Sequence, residues 1–347
     1  RSVAAIANLI DCTVAALLAF LTWSDGLTLP ILFVLAALHG AARVFVGPAM
    51  SAIAPNIVPQ ELLPRAIALS SIAWQVASVI GPAAGGLLFA ESEWLPHALS
   101  AGLLVCSAIL IRSVRPVRAP QDATPAHPVR QMIEGAQYTW RQKFLLGCIT
   151  LDLFAVLLGG ATAMLPVFAR DILMVGPEGL GIMRGAPAAG ASAVALWMAW
   201  RPLANNVGPK MLWAVVVFGA ATIAFGLSRD FALSLAMLVL LGAADMVSVF
   251  IRSSLVQLNT PDRMRGRVSS ISGLAISASN ELGEMQSGLA AAVLGATGAV
   301  VFGGAGAIVV TIVWAWLFPQ LRQAKTFAPE FLPEGSDLQS ARKEALT

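Results

Sequence analysis

HGAARVFVGPAMSAIAPNIVPQELLPRAIALSSIAWQVASVIGPAAGG, residues His39–Gly86, has an altered copy 202 positions further on, LGAADMVSVFIRSSLVQLNTPDRMRGRVSSISGLAISASNELGEMQSG, residues Leu241–Gly288. The two align without a gap. Gly40, Ala41, Ala42, Pro59, Arg65, Gly81 and Gly86 fall on Gly242, Ala243, Ala244, Pro261, Arg267, Gly283 and Gly288, while Arg43 becomes Asp245. A long-period repeat means two similar halves. In a helical membrane protein such halves form two bundles that move against each other around a central site. The register carries a further expectation. Residues of the second half before Leu203 have partners that would precede Arg1, so the first half is expected to lack roughly 60 residues at its start.

Composition sets the class. Hydrophobic residues make up 57% of the 347-residue chain and charged residues only 12%, with a mean hydropathy of +0.77. A soluble domain carries about 25% charge, and a fold of this size in water needs far more polar surface than is present here. Lipid removes that requirement. The 30 Gly and 20 Pro fit membrane helices, where both are common. Cys12, Cys106 and Cys148 each lie inside an apolar run and read as small packing residues rather than a disulfide or metal set. No basic n-region precedes the first apolar run, so no cleaved signal peptide is expected.

Ten apolar runs read as spans, at about 3–22, 28–47, 66–90, 95–111, 144–169, 180–200, 211–227, 231–254, 268–294 and 298–318. Most have the roughly 20 residues a helix needs to cross a bilayer, and none alternates as a barrel strand does. Of the 22 Lys and Arg, 17 fall in loops on the side that holds Arg1; only Arg170 and Arg229 lie on the other side, and Arg43, Arg184 and Arg252 sit within spans. Such asymmetry orients a membrane protein with both termini in the cytoplasm. It also accounts for the net charge of +3 without nucleic acid as a partner.

The expected fold is all-α, a polytopic membrane protein of two helical bundles. Residues 1–111 form an incomplete first bundle of four spans, 112–143 a cytoplasmic linker, 144–318 a second bundle of six spans and 319–347 a cytoplasmic tail. The linker opens with the Pro-rich RSVRPVRAPQDATPAHPVR, which forms no compact domain. Val129–Lys143 then predicts a short interfacial helix with Met132, Ile133, Ala136, Tyr138 and Trp140 toward lipid headgroups. The polar stretch Arg322–Thr347 is expected to lie loosely against the membrane surface.

LDLFAVLLGGATAMLPVFARDIL (151–173), GLGIMRGAPAAGA (179–191) and the copy beginning AADMVSVF at Ala243 together resemble the major facilitator superfamily, in the bacterial exporter branch that includes enterobactin-type exporters. The resemblance covers nearly all of residues 1–320. It implies twelve helices in two bundles of six, an exporter motif ending in GPxxGG in the fifth helix, and a long cytoplasmic loop after the sixth. Here GPAAGG (Gly81–Gly86) lies in the third span and the long loop follows the fourth. Both point to the absence of family helices one and two, with the loop bearing a GxLADRxGRR-type motif. The second-half counterpart, RPLANNVGPK (201–210), keeps the polar turn and Lys210 but lacks that motif's Asp and paired arginines.

Several residues are candidates for transport or coupling. Asp245 lies mid-span, where an ionised carboxylate is costly unless paired, wetted or protonated. It reads either as a cavity residue that meets a cationic substrate or exchanges a proton, or as half of a fixed ion pair. Arg252, seven residues on and near the same face, can neutralise it or hold a cytoplasmic gate. Arg43, at the repeat-equivalent position, can face Asp245 or reach toward an interface. Asp152 resembles the family's conserved-motif aspartate in the seventh helix, with cavity and capping roles both open. Asn280, Glu281 and Glu284 form a polar group in which two nearly co-facial carboxylates can trade a proton or pack against Arg252 or water. Asp11 can bind a partner on a missing helix; His39 can titrate, and reads as a packing residue rather than a metal ligand, since no metal spacing exists.

Gly81, Pro82, Gly85 and Gly86 are candidates for packing or gating. Glycines four apart permit close helix crossing, and Pro82 favours a kink. Arg263, Arg265 and Arg267 in TPDRMRGRVSS read as a positive-inside anchor or as an inner-mouth closure onto acidic groups and anionic headgroups.

The resemblance implies a secondary transporter in the cytoplasmic membrane that exports a small amphipathic compound by alternating access, with protons as the energy source. Its partners are the lipid bilayer, the small-molecule substrate and protons; no cofactor or metal is called for, and one chain forms the unit. No Walker motif supports ATP drive. A structural or regulatory membrane protein derived from a transporter is the alternative. A membrane enzyme finds no support, because neither an HxxxxD nor a GxSxG arrangement occurs.

Overall fold

A computed structural model describes residues 2–42, 63–113, 128–328 and 330–331. Every regular element among them is helical. The order is α1 (Ser2–Trp23), α2 (Leu29–Ala42), α3 (Leu63–Glu91), α4 (Leu95–Ser113), α5 (Pro128–Arg141), α6 (Lys143–Leu158), the short α7 (Leu165–Val167), α8 (Gly176–Trp200), α9 (Val207–Leu227), α10 (Phe231–Leu258), α11 (Asp262–Leu317) and α12 (Pro319–Gln323). Six segments among the described residues are long and apolar enough to cross a membrane, so the chain is an all-α multi-spanning membrane protein. Residues 43–47 of the expected second span lie outside the described residues.

Two of the ten expected spans, 268–294 and 298–318, run together as the 56-residue α11. That length would cross the bilayer more than twice if straight. Gly295 at φ 72° and ψ 166° is non-helical, and two helices meet there at a kink. Only glycine takes such a conformation at no steric cost, and the expected break between the two spans falls here.

The chain forms two compact units. One contains residues 1–123 and Gly176–Ile182, the other residues 124–175 and 183–347. In the first, α1 packs on α4. The buried stripe of α1 is Ala7, Asn8, Asp11, Val14 and Ala15, the spacing of one helix face. Asn8 donates to Ser107 Oγ at 2.9 Å and the Cys12 thiol donates to the Ala101 carbonyl at 3.6 Å, so the two helices run antiparallel.

In the second unit α9 packs on α10 and α11, and α11 packs on α6. Its core joins Leu145, Cys148 and Leu151 of α6, Val207 and Met211 of α9, Ile251 and Leu255 of α10, and Val268 and Ala307 of α11. The outside remains apolar. Trp140, Trp200, Trp213 and Trp316 are all exposed and lie near helix ends on one side of the unit, as interfacial aromatics do.

Helix α5 (Pro128–Arg141) forms over most of the segment expected to be helical. Gly135 and Thr139 are buried while Met132, Ile133, Ala136 and Trp140 are exposed; Tyr138, expected outward, instead packs partly against the core. The tail expectation needs a correction. Far from lying loose, the described residues after α12 dock on the unit's base. Gly208 N donates to the Ala324 carbonyl at 2.9 Å, Phe331 stacks on Phe144 with centroids 4.2 Å apart, and its amide donates to Asn259 Oδ1 at 2.9 Å. Two phenylalanines in a polar stretch supply the apolar contact that hydrophilic composition hides.

Candidate functional site

Helix α6 enters the core through Phe144, Leu145, Cys148 and Leu151, and Asp152 follows one turn after Cys148. Its carboxylate forms an ion pair with the Arg252 guanidinium of α10; the side chains are 10% and 5% exposed. Ile251 and Leu255, which flank Arg252 along α10, are fully buried. Two charges in such surroundings hold because they are paired; removal of either partner would leave the other uncompensated. Arg252 also lines a recess of about 170 Å³ with Ser253, Gln257, Thr260, Arg265, Ser269 and Ser272. Arg252 thus both pairs with Asp152 and borders this recess.

Asp245 stands apart from this pair. It lies about 20 Å from either end of α10 by helical rise, half-buried on the stripe of Leu241, Ser248 and Arg252. Its carboxylate has no hydrogen bond or ion pair among the described residues. The expected neutralisation by Arg252 is therefore replaced by a cross-helix pair. Seven residues of helix separate the two by about 10 Å of rise, whereas Asp152 is presented directly across the α6–α10 contact. Arg43, the other expected partner, lies outside the described residues.

Asn280, Glu281 and Glu284 are all exposed. Ser279, Gly283 and Ser287 are the buried face of α11 at this level, and a Cβ at Gly283 would lie 2.9 Å from the Val156 carbonyl of α6. The carboxylates point the other way, so their expected packing against Arg252 does not occur. Opposite them α6 is interrupted. Gly159 and Gly160 end it, Ala161–Met164 form a 3₁₀ turn and Phe168–Ile172 a π turn. Interruptions of this kind often mark functional sites.

Of the arginine cluster, Arg265 Nε donates to the Gln257 carbonyl at 3.2 Å. Arg267 pairs with Glu134 of α5 at 2.9 Å, each about one-third exposed, and a Cβ at Gly135 would meet the Arg267 carbonyl at 2.8 Å. The acidic partner expected for the cluster is thus on the linker helix. The side chain of Arg263 lies outside the described residues.

In the first unit, α3 runs unbroken through Pro82. The close approach in GPAAGG does not use the pair expected from four-residue spacing. No described atom lies within 4 Å of a Cβ placed at Gly81 or Gly85. A Cβ at Gly86 would instead lie 2.8 Å from Gly181 Cα, and one at Gly181 would lie 2.7 Å from the Pro82 carbonyl and 2.9 Å from Gly86 Cα. Backbones this close exclude any side chain at either glycine.

A polar contact not singled out from the sequence joins α1 and α2. His39 Nδ1 lies 3.1 Å from Asp11 Oδ1. Asp11 therefore has a partner within the chain, and His39, expected as a packing residue, is half-exposed and paired.

The family model described as Major Facilitator Superfamily matches residues 1–284, well over half of the chain. The enterobactin exporter EntS of Escherichia coli (strain 536) is 25% identical over 299 residues, covering 83% of this chain and 69% of that protein. The EntS of Citrobacter koseri is 26% identical over 301 residues, covering 84% and 69%. Among solved structures, the peptide transporter POT in complex with sulfate aligns with a TM-score of 0.71 at 12% identity, covering 94% of this chain and 81% of its own. A bacterial homologue of the iron transporter ferroportin in the inward-facing state gives 0.59 at 17% identity, covering 92% and 80%.

Proposed function

We propose, from the premise that the chain belongs to the Major Facilitator Superfamily, that it is a secondary active transporter of the exporter branch, moving a small amphipathic compound out of the cell in exchange for protons. The similarity to EntS proteins, named as exporters, supports the direction. The observation that carries the coupling is Asp245, a mid-helix carboxylate without a partner among the described residues, while Arg252 is engaged by Asp152. An intramembrane carboxylate without a counter-ion is stable where it is wetted, protonated or bound to a cation; a proton-exchanging substrate path supplies all three.

Asp245 faces that path in this reading, with Glu281 and Glu284, whose exposure on α11 is incompatible with lipid while they are charged. Asp152 and Arg252 hold α6 to α10 at the inner end of the path. Arg267 and Glu134 fasten the linker helix beneath α11, and Gly86 forms a close bearing for its bundle. The internal repeat supports two bundles, residues 1–111 and 144–318, and the basic-residue asymmetry supports cytoplasmic termini.

The test is transport in inside-out vesicles with ethidium as a cationic amphipathic probe. An imposed acid-inside gradient should drive ethidium accumulation, and a protonophore should abolish it. Accumulation equal to that of vesicles without the protein, across a panel of amphipathic probes, would overturn the proposal.

A further inference from the structure

The first unit carries an acid–base pair, its carboxylate buried and its imidazole half-exposed, that the coupling residues above do not include. Asp11 lies on the packed face of α1 between Asn8 and Val14, and its side chain is 8% exposed. His39 shares a face of α2 with Leu35 and Ala42, the residues buried among those described in that helix, and its side chain is 49% exposed. Asp11 is about 14 Å along α1 from Ser2, and His39 about 15 Å along α2 from Leu29.

We infer that Asp11 and His39 form a one-proton site in the first unit, a deepening that rests on the proton-coupled reading above. The geometry assigns the atoms. Toward an ionised carboxylate His39 Nδ1 is the donor, at 3.1 Å from Asp11 Oδ1, which leaves Nε2 to take up the proton. With the imidazole neutral the pair carries one negative charge; protonation at Nε2 gives an imidazolium–carboxylate pair with no net charge. In lipid the two states differ greatly in cost, so the proton changes which surroundings the α1–α2 contact tolerates. The exposed imidazole is the side from which the proton arrives, and the buried carboxylate holds the ring in place, the usual division of roles in such pairs.

The described titratable groups near the pair are few. On α1 itself the nearest titratable group is Cys12, whose thiol is occupied with the Ala101 carbonyl. On α4, packed against α1, the contacts of Asn8 with Ser107 and of Cys12 with Ala101 put Asp11 level with Leu103 or Leu104. His97 and Arg112 of α4 are then displaced along the axis by about 10 Å and about 13 Å in opposite directions, and Cys106 is exposed. Within the described residues of α2, His39 is the only titratable side chain.

The decisive variant is His39→Asn, whose amide can keep the hydrogen bond to Asp11 without titrating; Asp11→Asn is its companion. Purified protein carrying isotope-labelled histidine is titrated from about pH 5 to 8 by infrared difference spectroscopy, and ethidium accumulation is measured in inside-out vesicles. The wild type should show an imidazole protonation step that H39N removes and D11N displaces. Gradient-driven accumulation should be lost in both variants while ethidium exchange at equal pH persists. Retention of the full histidine titration and gradient-driven accumulation in H39N would overturn the site and leave the pair a packing contact. If the wild type moves no probe, the spectroscopic step decides alone: its presence in wild type and loss in H39N keeps the proton site while the efflux reading fails.

Discussion

Arg252 of α10 pairs with Asp152 of α6, and not with Asp245 two turns away on its own helix. The cation is thereby committed to a contact between helices, and the mid-helix carboxylate is left available for a mobile charge.

Loss of one member of that pair should be severe. Arg252→Ala or Asp152→Ala leaves an uncompensated buried charge, with an expected cost of about 3–5 kcal/mol. The double variant D152N/R252M should recover most of the thermal stability lost by either single change, because both charges go together. Melting of the purified protein in detergent, arranged as a double-mutant cycle, checks this; simple additivity would mean the pair is not coupled.

At the α3–α8 approach, Gly86 and Gly81 should respond oppositely. Gly86→Leu forces a side chain into backbone 2.7–2.8 Å away, and overpacking of that kind costs about 1–3 kcal/mol. Gly81→Ala meets no described atom within 4 Å and should be near neutral. Transport and melting of the two variants give the comparison. Equal effects would remove the assigned role of Gly86.

The docked tail makes a prediction for proteolysis. Phe331→Ala removes the stacking on Phe144, a contact worth about 0.5–1.5 kcal/mol beyond simple burial. Limited proteolysis near residue 331 should accelerate in the variant while the rest of the chain digests as before. An unchanged rate would show that the stacking does not hold the tail.

Glu134→Gln should leave global melting almost unchanged, since a pair about one-third exposed contributes about 0–1 kcal/mol. Hydrogen exchange in α5 should nevertheless rise, because Glu134 ties that helix to Arg267. Faster exchange confined to α5 supports the fastening role; no change in α5 contradicts it.

Much of the helix plan was legible because an apolar run of bilayer length has few alternatives. The break at Gly295 was legible too, lying between two such runs. The partners were not. Same-helix spacing drew attention to Asp245 and Arg252, but the ion pair formed across helices, 100 positions apart in the sequence. Asp11 and His39 each stood out, but their pairing gave no local signal, since it depends on how α2 lies on α1. Gly81, Pro82, Gly85 and Gly86 were all marked, but spacing did not reveal that Pro82 and Gly86 are the ones set against Gly181. Phe327 and Phe331 were masked by polar neighbours. Periodicity carries information about a helix's own faces; the identity of the facing helix comes only with tertiary packing.

The central claim is that Asp245 carries the proton coupling, and Asp245→Asn tests it most directly. In inside-out vesicles the variant should lose ethidium accumulation driven by an acid-inside gradient but retain ethidium exchange at equal pH, with wild-type melting. Accumulation at the wild-type rate in correctly inserted D245N would contradict the account.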